Sequence, residues 1–295
     1  MTRIFDRRAQ DRNRARFANP PPARPLQAEI ESRLLESLVY LDDRVPKTVL
    51  DVGAGSGTAA QALTRRWPKA LVVALDRARI PTRPPGKRGW WPFRAVPARL
   101  CADARFLPLA DGSIEVLAAN LCLQEIDDLT ATLAEFRRVL SPGGLLLVSL
   151  FGPETLRELR EALLDIGAGD RRVHPFPSIQ AVGASVQAAG FRDPVLDRDM
   201  LSVAHPSVRH LCDEIRQHGA SNALADRPRG LFGRNRPSAL EQAYPARRAD
   251  GHVLSTWEAI YVLAWAPAAG TARTEAGVRI AAVPVADIPI RRRRS

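Results

Sequence analysis

The chain has 295 residues and is strongly basic, with 43 Lys and Arg against 32 Asp and Glu and a formal net charge of +11. That length is ample for one large domain, or one domain with an insertion, and the charge favours an acidic partner such as nucleic acid, an anionic surface or an acidic protein. Three widely spaced cysteines, Cys101, Cys122 and Cys212, suit a reducing compartment better than a disulfide framework. No apolar run approaches the roughly 20 residues of a membrane span and no signal-peptide core opens the chain, so a cytoplasmic protein is expected.

Residues 1–25 are basic and end in Pro20-Pro21-Pro22, the pattern of an arm lying outside any sheet. Leu26, Ile30, Leu34, Leu35 and Leu38 recur at helical spacing and predict a helix over 26–42. Strand 48–52, helix 58–66 and strand 71–75 follow, then a Pro- and Arg-rich link over 79–98 and strand 98–101. Next come strand 114–119, helix 129–140, the turn Ser141-Pro142-Gly143-Gly144 and the apolar strand 145–150. Apolar strands separated by helices predict a parallel sheet covered on both faces. After residue 150 the rhythm changes. A helix over 153–165, a Gly/His/Pro loop, a helix over 178–189 stopped by Gly190 and a strand over 195–203 are predicted. A mixed, arginine-rich helical segment over 206–248, an aromatic strand over 256–265 and an irregular tail ending in Arg291–Arg294 complete the chain. A segment held between the last two strands would cap the sheet's ligand edge.

The most informative stretch is Asp51-Val52-Gly53-Ala54-Gly55-Ser56-Gly57, placed between a strand and a helix. Glycine allows positive φ and close approach of a ligand, and the helix beyond offers unpaired N–H groups. The dinucleotide fingerprint is G-x-G-x-x-G, whereas here the glycines alternate and no Lys or Arg lies in the loop. Asp51 is placed to take the ammonium of an amino-acid moiety. Asp76, about 20 residues on at the end of the next strand, would accept from ribose hydroxyls. Asp103, at the end of the strand after that, would accept from an adenine amino group. The bland alternative for each of these strand-end carboxylates is capping of the following turn. Ribose, adenine and an α-amino acid without phosphate together specify S-adenosyl-L-methionine.

Two blocks then carry a resemblance. Pro108-Leu109-Ala110-Asp111-Gly112-Ser113 and Glu135-Phe136-Arg137-Arg138-Val139-Leu140-Ser141-Pro142-Gly143-Gly144 resemble the class I S-adenosylmethionine-dependent methyltransferases. This implies an α/β, Rossmann-like seven-stranded sheet whose last strand is antiparallel, with a helical cap inserted between the last two strands. A narrower resemblance is to the malonyl-[acyl-carrier protein] O-methyltransferases of the biotin pathway. It rests on Asn120-Leu121-Cys122-Leu123-Gln124, Phe151–Arg160, His174-Pro175-Phe176, Ala188–Phe191, Gly219–Ala223, Arg229–Arg234, Trp257–Tyr261 and Ile288–Arg291. The organisation expected is a basic arm and helix over 1–43, a cofactor-binding core over 44–152, remaining strands with a substrate cap over 153–267 and a basic tail over 268–295. The chain departs from the family at two points: Arg12-Asn13-Arg14 stands where the arm usually carries a tyrosine, and Glu125 stands where tryptophan is favoured.

The resemblance implies methyl transfer to the free malonyl carboxylate of an acidic acyl carrier protein bearing a malonyl-phosphopantetheine arm, with no nucleic acid or membrane partner. A sulfonium methyl needs no base for attack by a carboxylate, so the work is desolvation and positioning. Arg229 and Arg234 are the candidate guanidinium forks for that carboxylate, and the bland alternative is a solvated basic face shared with Arg209, Arg216, Arg227 and Arg236. The cofactor is expected at Asp51, Gly53, Ala54, Gly55, Gly57, Asp76, Asp103, Ala104, Asn120 and Leu121, and the substrate at Gln124, His174, Arg229 and Arg234. His174 also reads as a loop-packing residue. Histidines and cysteines show no metal-ligand spacing, and Trp90-Trp91 reads as helix cover rather than a base-stacking patch. Two other readings stay open: a relative of the complex I assembly factors that hydroxylate a protein arginine, and a cofactor-binding assembly protein without turnover. Amine methylation of RNA ranks below these, because Asn120-Leu121-Cys122-Leu123 occupies the place of an Asn/Asp-Pro-Pro-Tyr tetrad.

Overall fold

The computed structural model describes residues 3–16, 25–41, 43–78, 96–217, 219–230, 232–268, 273–275 and 278–280. Seven strands form one sheet: β1 (Thr48–Val52), β2 (Leu71–Asp76), β3 (Ala98–Cys101), β4 (Ile114–Asn120), β5 (Leu140–Phe151), β6 (Arg192–His205) and β7 (Val253–Trp265). Their order is β3-β2-β1-β4-β5-β7-β6. Neighbours from β3 to β5 pair in parallel, and β7 runs antiparallel to both β5 and β6. This is the doubly covered, seven-stranded α/β sheet that the strand pattern and the resemblance imply. Successive residues of a strand point to opposite faces, so Leu145 and Leu147 enter one core layer while Leu146, Val148 and Leu150 enter the other.

The helices follow from amphipathic spacing and caps. α3 (Thr58–Arg66) starts on Gly57 in the left-handed conformation, buries Ala59, Ala60 and Leu63, and ends in Arg65 and Arg66, which complement its dipole. α4 (Leu129–Val139) is capped by Asp128, whose carboxylate accepts the Ala131 N–H at 2.8 Å, and buries Leu133 and Phe136. Each of those two side chains contributes about 1.5–3 kcal/mol by leaving water. Glu135 and Arg138 at the end of α4 also clasp the Pro-x-x-Asp-Gly-Ser loop. The Leu107 N–H donates to Glu135 at 2.7 Å, and the Arg138 guanidinium donates to the carbonyls of Leu107 at 2.9 Å and Leu109 at 2.8 Å. The two sequence blocks of the general resemblance are thus one packed unit.

Elsewhere the structure revises the expectations. The basic arm, expected only to lie outside any sheet, contains a helix, α1 (Arg7–Arg16). The helix expected over 26–42 is α2 (Pro25–Glu36), tightened into a 3-10 turn over Ser37–Leu41. Residues 141–144, expected as a turn, lie within β5, with Gly143 at φ 71°. The helix expected from residue 153 is α5 (Arg157–Asp165), because Leu156 at φ 59° cannot continue a helix backwards. The next helix is α6 (Ile179–Ala188). The cap between β6 and β7 holds two helices, α7 (Val208–Gln217) and α8 (Arg236–Ala243), rather than a helical segment throughout. Pro228, Gly230 and Gly233, the last at φ 87°, interrupt it. In the tail, β8 (Arg273–Glu275) and β9 (Val278–Ile280) pair as a hairpin where no structure was expected. Pro20–Pro22, Trp90-Trp91, Ile288–Arg291 and Arg291–Arg294 lie outside the described residues. Among the described residues no helix is long and apolar enough to cross a membrane.

Candidate active site

β1 and β4 are neighbours, yet β1 leads to β2 on one side and β4 to β5 on the other. A crevice opens at the carboxyl ends of the strands at such a switch point. The glycine turn lies there, with Gly53, Gly55 and Gly57 at φ 72°, 52° and 78°. The N–H groups of Gly53 and Ala54 both donate to Leu75 O, at 2.8 and 3.0 Å, which clips the turn to β2. A Cβ on Gly53 would collide with Cβ of Cys122, so a side chain there would displace the segment after β4 as well as strain the backbone.

Three carboxylates surround the turn, in different states. Asp51 is 1% exposed and accepts the Ala60 N–H at 3.0 Å. Burial pushes its carboxyl up to about 7, with Glu31 of α2 and then Asp76 adding to the rise. Asp76 accepts from the N–H groups of Gly55 at 2.9 Å and Ala78 at 2.8 Å, so it sets the shape of the turn. Asp103 accepts from Arg105 N at 3.1 Å and Nε at 2.8 Å and from Nη2 as well. Burial would raise its carboxyl, and the Arg105 hydrogen bonds and charge override that and hold it down to about 2. Asp103 therefore caps its own turn while standing on the cavity wall.

Gly53, Asp76, Asp103, Ala104, Cys122 and Glu125 line one cavity, with Gln10 and Arg14 of α1 on its wall. Asn120 and Leu121 are not among its lining residues and stand just before Cys122, which is one. Asn120 Oδ1 accepts from Ser149 Oγ at 2.6 Å, and Leu121, at φ 49°, donates its N–H to Ser149 O at 3.0 Å. Gln124 donates Nε2–H to Leu121 O at 2.8 Å, and its buried Oε1 has no hydrogen-bond partner among the described residues. The Cys122 thiol is pushed up to about 12 by burial and stays neutral, so it is a wall residue and not a nucleophile.

The arm joins this cavity's wall through long-range contacts. Asp127 Oδ1 accepts from the N–H groups of Ile4 at 2.9 Å and Phe5 at 3.0 Å. Gln10 Nε2 donates to Glu125 O at 2.8 Å, Arg14 stands 3.6 Å from the Glu125 carboxylate, and Asp11 pairs with Arg77. The two departures from the family pattern therefore meet, an arginine of the arm facing the glutamate after β4. His174 is buried and does not line the cavity; its Nε2 accepts the Ala223 N–H at 3.0 Å and its Nδ1 lies 3.7 Å from Glu125. Its ring meets Phe5 edge-on at 5.3 Å, and burial drives its pKa down to about 4, so it is neutral at neutral pH. His174 joins arm, loop and cap.

The candidate arginines lie elsewhere. Arg229 is exposed and lines a separate cleft, and Arg234 is exposed outside both concavities. Neither is brought together with Gln124 or His174. The structure adds Gln10, Arg14 and Glu31, which the sequence reading missed. The i,i+4 spacing of Gln10 and Arg14 was the available signal, but it carries no meaning until a helix is known to be there. One further constellation has triad order: Ser255 Oγ lies 2.8 Å from His205 Nε2, whose Nδ1 lies 3.0 Å from Glu214. Ser255 has no solvent exposure and its Oγ accepts the Trp257 indole N–H at 2.9 Å, so this network pins α7 to β6 and β7.

Positive-φ glycines, a buried carboxylate suited to an ammonium and a loop free of basic side chains fit a ligand with an amino-acid end and no phosphate. Fold and site together define a class I S-adenosylmethionine-dependent methyltransferase. A family model described as "Methyltransferase domain" matches residues 50–148. A malonyl-[acyl-carrier protein] O-methyltransferase of Xylella fastidiosa is 47% identical over 272 residues, covering 92% of this chain and 91% of that one. One from Halorhodospira halophila is 42% identical over 243 residues, covering 81% of each. The YcgJ protein of Bacillus subtilis shares the fold with a TM-score of 0.53 at 15% identity, over 80% of this chain and 99% of that one. The chain belongs to the malonyl-[acyl-carrier protein] O-methyltransferase family. It is an enzyme whose methyl donor is S-adenosyl-L-methionine.

Proposed function

We propose that the chain methylates the free carboxylate of the malonyl group carried as a thioester on an acyl carrier protein, an early step in making the pimeloyl part of biotin. The observation that carries this is the extent of the kinship: 92% of the chain aligns at 47% identity, a span that includes the cap that would meet the acceptor. That extent favours carboxyl methylation over arginine hydroxylation or a role without turnover.

When bound, S-adenosylmethionine supplies a methyl group on a sulfonium, which a carboxylate oxygen attacks without a base. The protein's part is to bind, orient and exclude water. Asp51 would hold the ammonium, Gly53, Ala54, Gly55 and Gly57 the backbone cradle, and Asp76 the ribose. Asp103 and Ala104 would border the adenine, and Asn120 and Leu121 the rim. α1 would shut the cavity from solvent with Gln10 and Arg14. Gln124 Oε1, an acceptor lacking a partner among the described residues, would be offered to an N–H of the substrate or of the cofactor. His174 would act on the substrate by holding the wall behind Glu125. Arg229 and Arg234 would recognise the carrier-borne substrate from the outer face of the cap, where their charge suits an acidic protein. The units 1–43, 44–152, 153–267 and 268–295 are proposed as functional parts of a cytoplasmic enzyme.

The test supplies methyl-labelled S-adenosylmethionine with malonyl-, acetyl- or unloaded carrier protein. Label transferred to the malonyl form alone, and released by mild ester hydrolysis, is the expected result. No transfer to the malonyl form despite tight cofactor binding would overturn the proposal.

A further inference from the structure

On the cap side of α1 a second concavity is lined by Arg3, Arg8 and Arg12 of the arm together with Arg227 and Arg229. Residues four apart share a helix face, so Arg8 and Arg12 face the cleft together, while Gln10 and Arg14 face the cofactor cavity. One helix thus forms the wall between the two. Among the described residues the only carboxylate lining the cleft, Asp6, is already engaged, accepting from Arg227 at 2.9 Å. Arg3, Arg8, Arg12 and Arg229 are exposed, and none forms a side-chain hydrogen bond or an ion pair with another described residue.

That arrangement differs from the basic surface of α7. On α7 the arginines are interleaved with acid, Arg209 and Arg216 both pairing with Asp213. Four unneutralised guanidiniums around one hollow repel one another, and an anion placed between them relieves the repulsion. Arginine favours oxyanions, because its fork donates two parallel hydrogen bonds to a pair of oxygens.

We propose that this cleft binds the phosphodiester of the carrier protein's phosphopantetheine arm, with Arg8, Arg12 and Arg229 as its ligands. The inference rests on the malonyl-carrier reading above and deepens it: Arg229 grips the phosphate and not the carboxylate to be methylated. The site is concave and one helix, about 10 Å across, from the cofactor cavity. A buried thioester end entering past α1 brings its own phosphate to this hollow, whereas the acidic surface of a folded carrier is convex and meets the exposed rim. A phosphodiester stays ionised across the working pH range, so the cleft would hold it whatever the state of the acyl end.

The test compares malonyl-4′-phosphopantetheine with malonyl-pantetheine, which share the reacting end and differ by the phosphate. The wild-type full-length chain should show a KM about tenfold lower for the phosphorylated compound. The double variant Arg8→Ala/Arg12→Ala should bring the two KM values level. A phosphate preference that survives in the double variant, or is missing in the wild type, overturns the proposal. If neither compound is methylated, the activity reading fails, and equilibrium binding of 4′-phosphopantetheine against pantetheine still decides the cleft. Equal binding of the two, or binding undiminished by the double variant, overturns it. So does stronger binding of a single-stranded oligonucleotide that the same variant abolishes.

Discussion

Asp51, proposed above to hold the cofactor's ammonium, is a carboxylate whose charge state is governed by burial. Its pKa near 7 comes from loss of water first and from neighbouring carboxylates second. A group raised from its ordinary 3.8 holds its proton longer in the folded state, so unliganded protein loses stability as pH rises from about 4 to about 7. A bound ammonium reverses this by favouring the ionised form. Cofactor affinity should therefore weaken about tenfold per pH unit below about 7, and Asp51→Asn should bind weakly with no such slope. Calorimetric titration at pH 5, 6 and 7 checks it; parallel slopes in the two proteins would remove the ammonium from Asp51. Residue type and position made Asp51 legible in the sequence, but its depth was not, because burial is a property of the packed state. Asp103 was legible only as a strand-end acid. That it caps its own turn with Arg105 depends on local geometry that a spacing rule does not carry.

Among the elements, those with an apolar stripe were readable in type and order, with several ends displaced by three to five residues, and α1 was not. Its sequence, Arg7 to Arg16, holds no apolar stripe, and Ala9 is buried. Isolated helices this short are marginal in water, so α1 exists because its two faces find partners. Asp127 anchors the segment leading into it, at Ile4 and Phe5, through two hydrogen bonds worth about 1 kcal/mol each. Asp127→Ala should accordingly loosen the arm, weaken cofactor binding roughly tenfold and speed proteolysis within residues 3–16, with the melting temperature of the sheet domain little changed. An unchanged dissociation constant would show that α1 does not roof the bound cofactor. The Glu135–Arg138 clasp illustrates the converse case. Its residues were conspicuous as a family block, and the structure supplies their cause, three backbone groups of the 107–109 loop held by one ion pair.

Over the whole molecule, arm, sheet and cap are held together at a few buried polar joints, of which His174 is the most exacting. Its folded pKa of about 4 lies below the ordinary 6.5, so the neutral ring is part of the native state. As pH falls from about 6.5 to about 4 the unfolded chain takes a proton that the folded chain refuses, and stability is lost, up to about 3 kcal/mol. Denaturant unfolding at pH 7 and pH 5 should show this loss, and His174→Gln should be less stable at pH 7 but with a shallower dependence. Identical slopes would place the acid sensitivity elsewhere. The sequence by itself determined the sheet, the glycine cradle and the class of cofactor, since strand periodicity, turn chemistry and helix caps act between residues close in the chain. Only the tertiary structure decided what closes the site and where the arginines stand. The pairs that settle this, such as Asp6 with Arg227 across 221 positions and Ala223 with His174 across 49, carry no local signature. They form because a packed sheet brings its two ends to one edge, where burial makes each unpaired polar group find a partner.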